Sequence, residues 1–311
     1  VIKDKACFVR AGAIIYGTNN IVDLPTTEDR DLQELSTSVA AMVSSKRLFV
    51  NRYNDDKKDE YLFHGDSLAH SYRMCDEDLN SQHAGAKCSS FLVGEDIMVT
   101  AAHCLIDVGD KKKSPEEVCK SHNFIFDFND SKFQSDNHHG AIVKKKDVYS
   151  CAKVIEYKND NEHDYAVIKL DRIVEGRSPV KLLNPSEMTY GSAISTLGFP
   201  QGLTLRASTD GKFYELSKNR NWLLTQVDSF SGNSGGPIID ELTNMVVGIH
   251  THGLNDALIY DSERSCYTYS SRCSDPTTCG TGYAFNITKI ETLKNKIVQN
   301  TNLQREELGC E

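Results

Sequence analysis

The apolar residues of this chain come in short runs, and each run is closed by a turn. Ser90-Phe-Leu-Val93 and Ile97-Met-Val-Thr100 flank Gly94-Glu-Asp96, the pattern of a β-hairpin. Asp164-Tyr-Ala-Val-Ile-Lys-Leu170 alternates, which predicts a strand with Ala166, Ile168 and Leu170 on one face. Ser192-Ala-Ile-Ser-Thr-Leu197 stops at the turn Gly198-Phe-Pro200, and Trp222-Leu-Leu-Thr-Gln-Val227 reads as a further strand. Pro237-Ile-Ile239 and Met245-Val-Val-Gly-Ile249 predict a second hairpin around Glu241-Leu-Thr-Asn244. Short strands of this kind bury their apolar sides by packing sheet on sheet, so the expected class is all-β, a barrel or sandwich. The 311 residues leave room for two such units.

One helix is predicted near the end, where Ile287, Ile290, Leu293 and Ile297 recur at helical spacing behind a capping Asn286. The polar segments 51–87 and 108–150 carry the charge runs Asp55-Asp-Lys-Lys-Asp-Glu60 and Lys111-Lys-Lys113 and are read as solvated loops. No apolar run approaches the roughly 18 residues of a membrane span. A net charge of −9 argues against nucleic acid as the main partner and offers nothing to an anionic bilayer.

Ten cysteines are dispersed along the chain, with no Cys-x-x-Cys pair to suit a zinc ribbon or a redox motif. The expectation is a set of disulfides formed in an oxidising compartment, so a secreted or periplasmic protein. The opening Val1 reads as the product of processing, with any export signal already removed. No metal or other cofactor is expected.

Three segments carry chemistry. In Gly232-Asn-Ser-Gly-Gly-Pro237, Ser234 sits among glycines, where a tight turn can expose a hydroxyl and aim the N–H groups of Gly232 and Ser234 at one spot. The same hexapeptide also suits a surface turn. In Val99-Thr-Ala-Ala-His-Cys104, His103 follows an apolar strand and two small residues; a Cys88–Cys104 disulfide would fix its loop. In Asn161-Glu-His-Asp164, Asp164 opens a strand from which it could reach the imidazole. Nucleophile, base and orienting acid are the three side-chain requirements of serine-based acyl transfer, and paired N–H donors are the fourth.

These segments resemble those around the histidine, aspartate and serine of the trypsin-like serine endopeptidases, over roughly residues 14 to 298, with departures at 51–87, 108–150 and 255–281. The resemblance implies two antiparallel six-stranded β-barrels with His103, Asp164 and Ser234 in the cleft between them, and protein or peptide substrates handled by a monomer. It divides the chain into a segment 1–20, a first barrel over 21–175 and a second over 176–311. Asn233 departs from the vertebrate pattern, in which an aspartate before the nucleophile pairs with a new N-terminal amine.

Finer features are similar to the bacterial glutamyl-endopeptidase branch: Leu197-Gly-Phe-Pro200, Gly248-Ile-His-Thr-His-Gly253, and Gly282-Tyr-Ala-Phe-Asn-Ile287 before a terminal helix. The resemblance puts two side chains at the specificity pocket with opposite implications. Asp228, six residues before Ser234, stands where a trypsin-like enzyme binds Lys or Arg; His250, with Ser229 in support, stands where a glutamyl endopeptidase binds Glu. Cleavage after Glu is the preferred reading, with cleavage after Lys or Arg, or a non-catalytic binder on the same fold, as alternatives. His250-x-His252 is also a conceivable metal pair, lacking a third ligand.

Overall fold

The computed structural model describes residues 15–16, 19–24, 29–50, 59–68, 73–75, 83–107, 112–129, 140–253, 258–269, 272–273 and 280–307. The first barrel closes through Val39–Ser44, Ala86–Gly94, Ile97–Thr100, Asp164–Leu170, Val148–Asn159 and His122–Phe126, the last strand pairing back onto the first. The second runs Ala193–Gly198, Pro237–Asp240, Met245–His252, Gly282–Asn286, Trp222–Gln226 and Arg206–Leu216, which returns to Ala193–Gly198. All of these pairings are antiparallel. Both predicted hairpins form, with Leu92 opposite Met98 in one and Pro237 opposite Ile249 in the other.

The strand Asp164–Leu170 does not follow a simple in–out alternation: Asp164 to Ile168 are all buried. One face fills the first barrel, while the second barrel covers the other, where Tyr165 stacks on Phe285 with ring centroids 4.8 Å apart. Contact between two barrels removes the solvent face that alternation presupposes.

The segment 108–150 is not the solvated loop its charge implied. It holds the helix Pro115–Lys120, closed by a Ser114/Glu117 capping box, and the barrel strand His122–Phe126, whose Phe124, Ile125 and Phe126 are buried. In 51–87, residues 51–58 lie outside the described part, but Glu60–His64 pairs with both Leu48–Val50 and Gly140–Lys144. A few buried side chains are enough to seat a strand, and charged neighbours dilute them in any composition window. At the start of the chain, Ile21–Asp23 pairs with Arg206–Ser208 of the second barrel, not with the first.

The terminal helix begins later than expected. Asn286 accepts from the Thr288 N–H at 3.0 Å, two short turns follow at 287–289 and 291–293, and the α-helix runs Lys294–Glu307. Ile287, Ile290, Leu293 and Ile297 are buried. The segment leans on the first barrel, where Lys296 meets the Val93 carbonyl and the Thr292 N–H donates to Glu156. Asn286 is itself buried and donates to the Arg220 carbonyl.

Three disulfides occur among the described residues: Cys75–Cys266, Cys88–Cys104 and Cys119–Cys151. Cys7, Cys279 and Cys310 lie outside them. Cys266 belongs to a hairpin, Leu258–Asp261 with Cys266–Tyr269, within the 255–281 insertion. That hairpin is fastened to residues 73–75 by the disulfide and by Cys75 N–H to Tyr267 O (2.8 Å) and Tyr267 N–H to Arg73 O (2.6 Å). No helix among the described residues is long and apolar enough to cross a membrane.

Candidate active site

Strand register brings His103 and Asp164 together. Ile97–Thr100 pairs with Asp164–Leu170 so that Thr100 faces Ala166, and the chain leaves Thr100 into a short turn, Ala102–Leu105, that carries His103. Asp164 uses both carboxylate oxygens on this residue: Oδ2 is 2.7 Å from His103 Nδ1, and Oδ1 accepts from the His103 backbone N–H at 3.0 Å. Burial would raise the Asp164 carboxyl, but the charge and hydrogen bonds of His103 outweigh it and hold it below the usual carboxylate range. A carboxylate opposite Nδ1 keeps the ring proton there and leaves Nε2 with its lone pair. The buried Cys88–Cys104 bond ties this turn to the neighbouring strand.

The Ser234 loop is pressed against the same place. Gly235 has φ +87°, and a Cβ there would lie 2.1 Å from the Ser89 carbonyl and 2.2 Å from Thr100 Oγ1, so only glycine permits this approach. Ser89 joins the two sides: its N–H donates to the Ser234 carbonyl at 2.8 Å, and its hydroxyl donates to the Gly232 carbonyl at 2.8 Å. Ser234 is buried, and in this rotamer its Oγ donates to the Thr251 carbonyl at 3.1 Å.

Two peptide planes beside the serine are fixed from behind. The Ser231 carbonyl accepts from the Gln201 N–H at 2.5 Å, and the Asn233 carbonyl accepts from the Gly236 N–H at 2.9 Å. In a trans peptide the N–H points opposite to the C=O, so the Gly232 and Ser234 N–H groups face away from these bonds. Neither N–H has a backbone acceptor among the described residues. The Asn233 side-chain oxygen is buried without a partner, and an amide in that position cannot form an ion pair with an amine.

The pocket residues separate sharply. The Asp228 carboxylate is occupied: Oδ1 accepts from the Tyr16 N–H at 2.7 Å and Oδ2 from the Asn20 N–H at 2.9 Å. Ser229 and His250 are buried, and Ser229 Oγ and His250 Nδ1 have no hydrogen-bond partner. Burial first, then the nearby His252 and His103, push the His250 imidazole down to about 3.

His250 and His252 do not form a metal pair. A bulge between them sets His250 opposite Ala284 and His252 opposite Tyr283, so alternate residues no longer share a face. His252 stacks on Tyr283 with centroids 5.2 Å apart and meets the edge of Trp222 at 5.5 Å. Among the described residues the sole metal-type cluster is Cys88, His103 and Cys104, and its two sulfurs are bonded to each other. Sequence reasoning assigned no role to Ser89, Gln201, Thr251, Tyr16 or Asn20. Each acts here through backbone groups or a plain hydroxyl, for which composition and spacing carry no signal.

Residues 88–249 match the family model described as a trypsin-like peptidase domain. The chain belongs to the trypsin-like peptidase family. Among solved structures, a Glu endopeptidase in complex with MPD is 13% identical, covering 94% of this chain and 100% of its own, with a TM-score of 0.51. The VesB protease of Vibrio cholerae is 15% identical, covering 93% of this chain and 68% of its own, with a TM-score of 0.47. At 13% identity the likeness to the Glu endopeptidase speaks for the fold alone. No curated protein matches the chain in sequence.

Proposed function

We propose that this peptidase is a serine endopeptidase that works in an oxidising compartment and cleaves after Glu. The observation that carries the catalytic part is the two-point grip of Asp164 on His103 beside the Ser234 loop. Ser234 Oγ swings from the Thr251 carbonyl, attacks the scissile carbonyl carbon and gives its proton to His103 Nε2. The resulting oxyanion takes hydrogen bonds from the Gly232 and Ser234 N–H groups. His103 returns the proton to the leaving amine, and water repeats the sequence on the acyl-enzyme to release the acid and regenerate Ser234. The three disulfides fit an export route.

For specificity, the supporting observation is the division of labour at the pocket. Both oxygens of Asp228 are bound to backbone N–H groups, which leaves it poorly placed to hold a Lys or Arg side chain. Ser229 Oγ and His250 Nδ1 are buried polar atoms without partners, and such atoms are costly unless a ligand completes them. A Glu carboxylate does so: the Ser229 hydroxyl and a His250 N–H both donate to it. The test is labelling with a serine-directed organophosphorus probe, then cleavage-site profiling on a peptide library. One equivalent at Ser234, lost in Ser234→Ala, with cuts after Glu is the expected result. No labelling overturns the catalytic reading, and a preference for Arg or Lys overturns the glutamyl one.

A further inference from the structure

The first described residues of the chain lie against the stretch that carries the pocket residue Ser229. Residues 15–16 and 19–23 lie along the second barrel and are held there in four ways. Ile15 packs with Phe230 and Ile21. Ile15–Tyr16 pairs in parallel with Arg272–Cys273, and Ile21–Asp23 pairs with Arg206–Ser208. Asp23 forms an ion pair with Arg206. The fourth is the Asp228 carboxylate, which takes one backbone N–H on each oxygen, from Tyr16 and Asn20, residues 212 and 208 positions away.

Asp228 is 3% exposed, and among the described residues no cation pairs with it. An ionised carboxylate is buried at such a place only when donors replace its water. The donors come entirely from the segment 15–23, and the acceptor directly precedes Ser229. Phe230, the next residue but one, is the apolar seat of the same segment. The stretch 228–230 is therefore fastened at both ends to residues 15–21, with the pocket hydroxyl of Ser229 between the fastenings. In this chain Asn233 cannot take up an amine as an ion pair, so that means of ordering the neighbouring loop is absent.

We propose that Asp228 is a positioning residue, and that the segment 15–23, acting through it, holds the wall of the specificity pocket in its substrate-binding shape. The acid that sequence spacing assigns to a basic substrate side chain serves an internal strap. The proposal deepens the serine-endopeptidase reading and rests on it.

The test uses two full-length variants. Asp228→Asn leaves one oxygen to accept and turns an NH2, which cannot accept, toward the other backbone N–H; Asn20→Pro deletes one donor from the other side without altering a pocket side chain. Two rates are compared: kcat/KM for peptides with Glu before the scissile bond, and labelling of Ser234 by a small fluorophosphonate that has no side chain to bind. Peptide kcat/KM falls about tenfold or more in each variant, mainly through KM, while labelling stays within about threefold of wild type. The double variant loses no more than the worse single variant, because both cut one linkage. A parallel fall of both rates, unchanged peptide cleavage, or loss confined to cleavage after Lys or Arg in Asp228→Asn with Asn20→Pro silent, each overturns the proposal. If the wild type is not labelled, the catalytic reading is what fails. Affinity for a peptide ending in Glu then reads the pocket directly: a loss in both variants upholds the strap, and equal affinity refutes it.

Discussion

Replacing Asp164 by Asn isolates what the carboxylate does, because both of its oxygens have assigned partners. One accepts from the His103 backbone N–H at 3.0 Å and the other faces Nδ1 at 2.7 Å. The backbone N–H can only donate, so the amide oxygen must take the first place. The amide NH2 is then left facing Nδ1, which has to accept. The ring proton moves to Nε2, where Ser234 needs a lone pair. Asp164 is 6% exposed, so solvent is poorly placed to supply an alternative partner. The expected loss in kcat is about 10⁴-fold, roughly 5.5 kcal/mol of transition-state stabilisation. Asn is isosteric and keeps both contacts, one of them reversed in direction, so the melting temperature should change little beside this loss. The assay is steady-state turnover of a Glu-containing peptide, with circular dichroism to verify the fold. A folded variant that loses less than about tenfold would refute the tautomer argument.

Two further outcomes are expected. His250→Ala should lower kcat/KM for cleavage after Glu by about 10²-fold or more and leave slow cleavage after small neutral residues nearly unchanged; equal losses on both peptide types would count against a side-chain-binding role. Stability should fall on acidification: the fold keeps His250 neutral down to about 3, so the unfolded chain gains its proton first, and the contribution present above the unfolded histidine value near 6.5 is lost as pH drops towards 3. Asp164, held below its ordinary value, adds to this loss only in the lower, carboxylate part of that range. Melting temperatures from pH 7 to pH 4 should decline less steeply in His250→Phe than in wild type, and identical slopes would exclude His250 as a source.

The chain alone determined the local pieces: both hairpins, the strand that Asp164 opens, the glycine-lined Ser234 loop, the turn bearing His103 and the buried apolar residues of the C-terminal segment. Each is written in spacing a few residues long, because turn chemistry, capping and strand alternation are short-range rules. Resemblance then supplied the pairing of the three segments into one site. What the tertiary structure decided depends on partners far away in sequence. Asp228 has the same spacing from Ser234 whether it faces a substrate or a strap, and the choice rests on N–H groups 208 and 212 positions away. His250 and His252 look like one face of a strand until a bulge, set by pairing with Gly282–Asn286, separates them. The strand His122–Phe126 is hidden by charged neighbours until the barrel needs it to close. The Cys75–Cys266 bond spans 191 residues. Ten cysteines permit many pairings, and only the folded chain brings those two within bonding distance.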